Sequence, residues 1–205
     1  MAIISIQESG LLFEPNAADY YFRLQGDPGF TPLSKFGVSE MDFGWYESQR
    51  KRCWLIELKD YSHSGNPLGL SDKNSREFLM YDLIQKAKDN LLVLASIWYS
   101  LPKKKQLESS LPSEFKSLPT HAQPLNLAFV LKVEDTMAFQ TTAQSLQDSL
   151  RNKIQGQSEL LGIRENTNVF LFDHLTAIEQ GLPLRVDERS TAGSKQMKKG
   201  KRAKR

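Results

Sequence analysis

Asp42, Glu57 and Lys59 are the residues of this 205-residue chain whose types and spacing could do chemistry. They sit in two otherwise aromatic and aliphatic stretches, MDFGWY at residues 41–46 and RCWLIELKD at residues 52–60, on either side of polar Ser48-Gln49-Arg50-Lys51. Such a pattern predicts a β-hairpin. Side chains alternate faces along a strand, so Leu55, Glu57 and Lys59 share one face and Trp54, Ile56 and Leu58 the other; on the first strand Asp42, Gly44 and Tyr46 share a face. With the turn centred between Gln49 and Arg50, opposed residues have numbers summing to 99, which sets Asp42 against Glu57. Opposed side chains on one face lie only ~4.5–5.5 Å apart at Cβ, and two like charges there destabilise a hairpin unless something neutralises them. A hard divalent cation does so: Mg²⁺ takes oxygen ligands, commonly one or two carboxylates with waters and a substrate phosphate. A lysine beside such a site can orient or deprotonate a water while the ion stabilises charge on the phosphate. Water attacking a phosphodiester is the reaction this trio suits.

The elements that must hold these residues follow from the flanking pattern. Residues 36–47 and 52–61 are the expected hairpin strands, preceded by a short strand in residues 2–14 and a helix starting near Asn16, an N-cap type, through residues 17–24. A long helix is expected over residues 76–99, with Phe78, Leu79, Leu83, then Lys86 or Ala87, and Asn90 or Leu91 at helical spacing, and an end, residues 91–98, that is apolar nearly all round and so buried. Residues 102–124, with four prolines and Lys103–Lys105, predict an exposed loop with one helical turn near residues 113–116. Residues 125–133 predict an interior strand, residues 142–156 a helix presenting Leu146, Leu150 and Ile154, and residues 169–172 a second buried strand. The expected fold class is α/β, a mixed central sheet flanked by helices. One domain over residues 1–189 and a disordered basic tail over residues 190–205 are expected.

Asp42 followed after fourteen intervening residues by Glu57-Leu58-Lys59, on a hairpin between two helices, resembles the PD-(D/E)XK nuclease superfamily. The resemblance implies a restriction-endonuclease-like α-β-β-β-α-β core, Asp42 and Glu57 as ligands of Mg²⁺ or Mn²⁺, and Lys59 as the water-activating or charge-stabilising group. It also implies an endonuclease acting on nucleic acid, DNA in preference to RNA. The superfamily often adds a Glu from the first helix, for which Glu14 is the nominee and Glu8 and Asp19 the rivals. Many members place a Gln or Lys on the helix after the hairpin, a position that Gln85 or Lys86 fits. The proline of the superfamily's name is absent, since Asp42 follows Glu40-Met41.

Composition narrows the alternatives. An apolar fraction of 40% and a charged fraction of 25% suit a soluble globular protein rather than a fibrous or wholly disordered one. The longest apolar run, residues 91–101, is broken by Ser96 and Ser100 and falls short of the ~20 residues that span a bilayer, so no membrane association is expected. The N-terminal MAIISIQESG lacks the basic region of a secretory signal, and the lone Cys53 suits a reducing cytoplasm. Residues 194–205 hold seven of the basic residues, Lys195, Lys198, Lys199, Lys201, Arg202, Lys204 and Arg205, and no acid; the rest of the chain has 20 bases against 24 acids, a net −4. That tail is a nucleic-acid-binding arm by composition and equally a solubilising one. The plain alternative for the trio is the solvated face of an amphipathic hairpin. A non-catalytic nucleic-acid- or protein-binding module using the tail, and a structural subunit docking through residues 91–101, are the competing functions. A homodimer or larger protein complex would suit an enzyme that cuts both strands. His63, His121 and His174 are isolated in sequence, and only His63 falls near the trio.

Overall fold

The computed structural model describes residues 5–25, 27–28, 30–35, 37–62, 73–101, 107–109 and 111–187. Lys103–Lys105, His63 and the basic tail lie outside them. Five strands make the main sheet: β3 (Tyr20–Phe22), β4 (Phe43–Glu47), β5 (Arg52–Asp60), β6 (Leu125–Lys132) and β7 (Thr167–Asp173), in that spatial order. The first three run antiparallel and the last three parallel. The parallel steps need crossovers, which two long helices supply, α2 (Lys73–Trp98) and α3 (Thr136–Leu160); α1 is the single turn Thr31–Ser34. A smaller antiparallel sheet joins β1 (Ile6–Glu8), β2 (Leu11–Phe13) and β8 (Leu184–Val186), with α4 (His174–Glu179) just before β8.

Strands β5 and β6 are covered on both faces, and all eight residues of β6 are buried, so it reads as a largely apolar run broken only by Asn126 and Lys132. On one face Cys53, Leu55, Leu127, Phe129 and Leu171 pack with Leu83, Leu91 and Leu94 of α2 and Leu150 and Ile154 of α3. On the other, Trp45, Trp54, Ile56, Leu58 and Val130 pack with Leu11, Phe13 and Leu184 of the small sheet and Ala177 of α4. The α/β class, the mixed sheet and the helical cover agree with the sequence. No helix among the described residues is long and apolar enough to cross a membrane.

Three expectations are corrected. Residues 17–24 form no helix: Asn16 accepts the Asp19 N–H in a turn, and Tyr20–Phe22 pair with β4 as an edge strand. Asp19 is the reason, since its carboxylate accepts from the Trp45 indole at 3.1 Å and from the Ser48 N–H at 3.0 Å, tying the segment to the hairpin. The first hairpin strand is also shorter than residues 36–47, starting at Phe43. Finally, α3 begins six residues before the expected residue 142, because the Asp135 carboxylate caps it by accepting the Ala138 N–H.

Gly44 shows how tightly the edge strand is seated. A Cβ built there would stand 1.9 Å from Cε1 and 2.1 Å from Cζ of Phe22, whose ring meets Phe115 edge-on at 4.9 Å. Gly44→Ala should therefore lower stability by about 1–3 kcal/mol, the cost of overpacking a closed core, read as a lowered urea midpoint at unchanged slope.

Candidate active site

The hairpin register is the one that turn symmetry predicts. Phe43 pairs with Ile56 and Gly44 with Leu55, so the 99 rule holds throughout the ladder. Asp42 stands one residue before that ladder, on the α2 side of the sheet by alternation. Its carboxylate folds over the strand end, where Oδ2 accepts the Leu58 N–H at 2.7 Å, beside Glu57. Glu57 and Lys59 point from β5 toward α2, which answers with Asp82 and Lys86, four residues apart and thus on one side of the helix.

Glu57 is 1% exposed. Its Oε1 accepts from Lys86 Nζ at 2.6 Å and from Lys59 Nζ at 3.2 Å, while Oε2 is buried without a partner. Lys59, 28% exposed at the rim, reaches Asp82 Oδ2 at 2.8 Å. Burial first, and then the Asp42 charge, push the Glu57 carboxyl up to about 7 against the pull of the two lysines. Asp42 is also raised, by burial, with the Leu58 N–H and Lys86 opposing. Lys59 loses hydration, which would lower its pKa, but its bonds to Asp82 and Glu57 prevail and hold it above the ordinary lysine value. Asp42, Glu57 and Asp82 set three carboxylates against the ammonium groups of Lys59 and Lys86, so the ionised cluster keeps one net negative charge.

An open cavity of about 360 Å³ adjoins Asp42 and Lys86, walled by Glu8, Arg23, Gln25 and Ser39 among others. Of the acids nominated beside the trio, Glu8 faces this cavity, held by Arg23 at 2.9 Å. Glu14 does not: it binds Ser5 at 3.0 Å and Arg185 at 2.9 Å, and the Arg185 hydrogen bond leads in holding its carboxyl below the usual range. Asp19 is committed to Trp45 and Ser48. On α2, Lys86 enters the site, whereas Gln85 donates to Asp89 at 2.9 Å, and Asp89 in turn accepts from the Ser39 N–H. His121 lies in an exposed turn and His174 opens α4, neither at this cluster. Asp82 and Arg23 were missed from sequence; Asp82 carried a usable signal, standing four residues before Lys86.

Comparison of the chain with protein-family models, curated proteins and solved structures finds no match.

The donor set is the test of whether a metal suits this place. Among the described residues, no group of three or more His, Cys, Asp or Glu side chains is placed to hold an ion. Asp42 and Glu57 nevertheless offer two hard carboxylates, one with an orphaned buried oxygen, within a cluster one positive charge short of neutrality. Two carboxylates completed by water and phosphate is the usual complement for Mg²⁺.

Proposed function

We propose that the protein is a divalent-metal-dependent endonuclease of the PD-(D/E)XK type, working in the cytoplasm and acting on DNA in preference to RNA. The observation that carries this reading is the convergence of Asp42, Glu57 and Lys59 on one side of the sheet, with Glu57 Oε2 buried and unpartnered. Asp42 and Glu57 would hold Mg²⁺ or Mn²⁺. A bound ion supplies Lewis-acid stabilisation for the charge that builds on a phosphodiester attacked by water. Lys59, braced by Asp82, presents an ammonium at the rim, where it orients the water and donates to a phosphate oxygen. Lys86 offsets the Glu57 charge from below. The preference for DNA rests on the resemblance alone.

The test is incubation of the purified chain with single- and double-stranded DNA and RNA in Mg²⁺, Mn²⁺ or EDTA. Cleavage is expected with either metal, none in EDTA, and none with Glu57→Ala in any buffer. Wild-type turnover by Glu57→Ala would sink the assignment.

One observation favours a second reading, a non-catalytic nucleic-acid- or protein-binding module: Lys86 already neutralises one Glu57 oxygen at 2.6 Å. That reading expects salt-sensitive binding that weakens when residues 194–205 are deleted, with no turnover in any metal.

A further inference from the structure

Asp89 and Asn90 are polar side chains of α2 that the interior almost encloses, at 5% and 2% exposure, and both spend their hydrogen bonds away from Asp42, Glu57 and Lys59. Burying an amide and a carboxylate costs free energy unless each is bonded, and here the bonds converge on the backbone of one residue in another segment. Asp89 Oδ2 accepts the Ser39 N–H at 2.9 Å, and Asn90 Nδ2 donates to the Ser39 carbonyl at 3.2 Å. Each group is braced in turn: Gln85 Nε2 donates to Asp89 Oδ1 at 2.9 Å, and Asn90 Nδ2 also donates to the Lys86 carbonyl at 2.8 Å. Positions three and four apart share one side of a helix, so Asp89 and Asn90 continue the side that carries Lys86.

Ser39 belongs to residues 37–42, which form neither helix nor strand and so have no ladder to satisfy their backbone or set their path. That strap ends at Asp42, and its Gly37, Val38, Ser39 and Glu40 join Asp42 in walling the cavity beside the site. Three attachments hold it: the Ser39 clamp, the buried Met41 in one cluster with Leu83 and Ala87 of α2, and Asp42 Oδ2 on the Leu58 N–H at 2.7 Å. Ser39 stands three residues before Asp42, and Asp89 three residues after Lys86. The clamp therefore ties together the two segments whose side chains meet beside Glu57. We propose that Asp89 and Asn90 are positioning residues, which by gripping both backbone groups of Ser39 fix where the strap delivers the Asp42 carboxylate relative to Glu57 and Lys86. The consequence for metal binding rests on the nuclease reading, but the placement of Asp42 does not. Two polar residues that merely satisfied a loop backbone would cost stability when removed and leave the Asp42–Leu58 bond no worse than any other.

The experiment follows the Leu58 amide, whose proton Asp42 holds, by NMR-resolved hydrogen exchange of the full chain in EDTA. Asn90→Ala should speed Leu58 exchange about 5- to 30-fold, the population change that accompanies loss of one or two hydrogen bonds. The β6 amides should stay within about twofold of wild type once global stability is allowed for. Asp89→Ala should do the same, whereas Asp89→Asn should match the wild type, because its amide oxygen still accepts the Ser39 N–H and Gln85 can turn its own amide to accept in return. Leu150→Ala on α3 is the control, lowering stability without singling out Leu58. Gln85→Ala removes one brace and leaves both clamp groups, so it should give a smaller rise of the same pattern and serves if the other alanine variants fail to fold. In a cleaving enzyme, Asn90→Ala should raise the Mg²⁺ concentration for half-maximal cleavage about 10-fold with little change in the rate at saturating metal. Equal acceleration at Leu58 and β6, no acceleration at Leu58, or an Asp89→Asn that behaves as Asp89→Ala overturns the clamp. So does an unchanged metal requirement in a cleaving Asn90→Ala. Selective Leu58 acceleration in a chain that neither binds Mn²⁺ nor cuts leaves the clamp standing and removes the nuclease. Cleavage with Leu58 exchange indifferent to every variant does the reverse.

Discussion

Lys59→Ala should reduce divalent-dependent cleavage by about 10²–10³-fold, the usual loss when one donor aimed at developing charge is removed, and leave the fold almost untouched. The structural cost is small because the Lys59–Asp82 pair is 28% and 36% exposed at the rim, and a pair so hydrated contributes about 1 kcal/mol at most. Glu57 would keep Lys86 at 2.6 Å. Lys86→Ala makes the opposite contrast. It strips the nearer ammonium from a carboxylate that is 1% exposed, and breaking one side of a buried pair costs about 3–5 kcal/mol unless the carboxylate takes up a proton. Thermal melts run alongside single-turnover cleavage separate the two: Lys59→Ala should lose rate at nearly constant Tm, and Lys86→Ala should lose Tm. Wild-type cleavage by Lys59→Ala would end its assignment as the charge-stabilising group.

What the sequence revealed about this site, and what it hid, follow from the range of the interactions involved. The β4–β5 register was legible because four polar residues between two apolar strands leave alternation little freedom, and a slip by one would turn Trp54 and Ile56 out of their core. β6 was legible because a strand buried on both faces keeps an apolar stretch, Leu127–Leu131, that the polar Asn126 and Lys132 near its ends do not interrupt. The β3 segment was hidden because Asn16-Ala17-Ala18 carries a local helix signal, overruled by bonds from Asp19 to residues 26 and 29 positions away. The small sheet was hidden for the same reason, since β2 pairs with β8 across almost the whole chain. That pairing also decided which glutamate meets the cavity. Ser9 and Gly10, both at positive φ, make the tight two-residue turn of a hairpin, and Ser9 Oγ donates to the Leu58 carbonyl at 2.9 Å. Glu8, at the turn end, is thereby brought beside Asp42, while Glu14, beyond the far end of β2, goes to Arg185. No local pattern distinguishes the two.

Glu57→Gln should make the metal-free protein more stable above neutral pH, and the sign comes from the direction of the Glu57 shift. Its carboxyl is raised from 4.5 to about 7 on folding, so the folded state holds a proton that the unfolded state has released. Stability associated with that proton is complete below the unfolded value near 4.5 and is lost as pH rises through about 7. At pH 8 the deficit for the wild type in EDTA amounts to about 3 kcal/mol, an order-of-magnitude figure that Lys86 and Lys59 have already reduced from the cost of an unpaired buried carboxylate. A glutamine at residue 57 carries no charge to desolvate and keeps an acceptor for Lys86. Denaturant midpoints in EDTA should therefore lie closest for wild type and variant below about pH 4 and separate in favour of Glu57→Gln toward pH 8. Mg²⁺ at pH 8 should reverse the ranking by stabilising the wild type alone, because binding to the folded state adds its free energy only where the ionised Glu57 is present to accept the ion. A merely structural ion-pair network predicts the first separation without the second, so a Tm of the wild type that is indifferent to Mg²⁺ and Mn²⁺ at pH 8 would leave Glu57 as a strained member of a lysine network and remove it from any metal site.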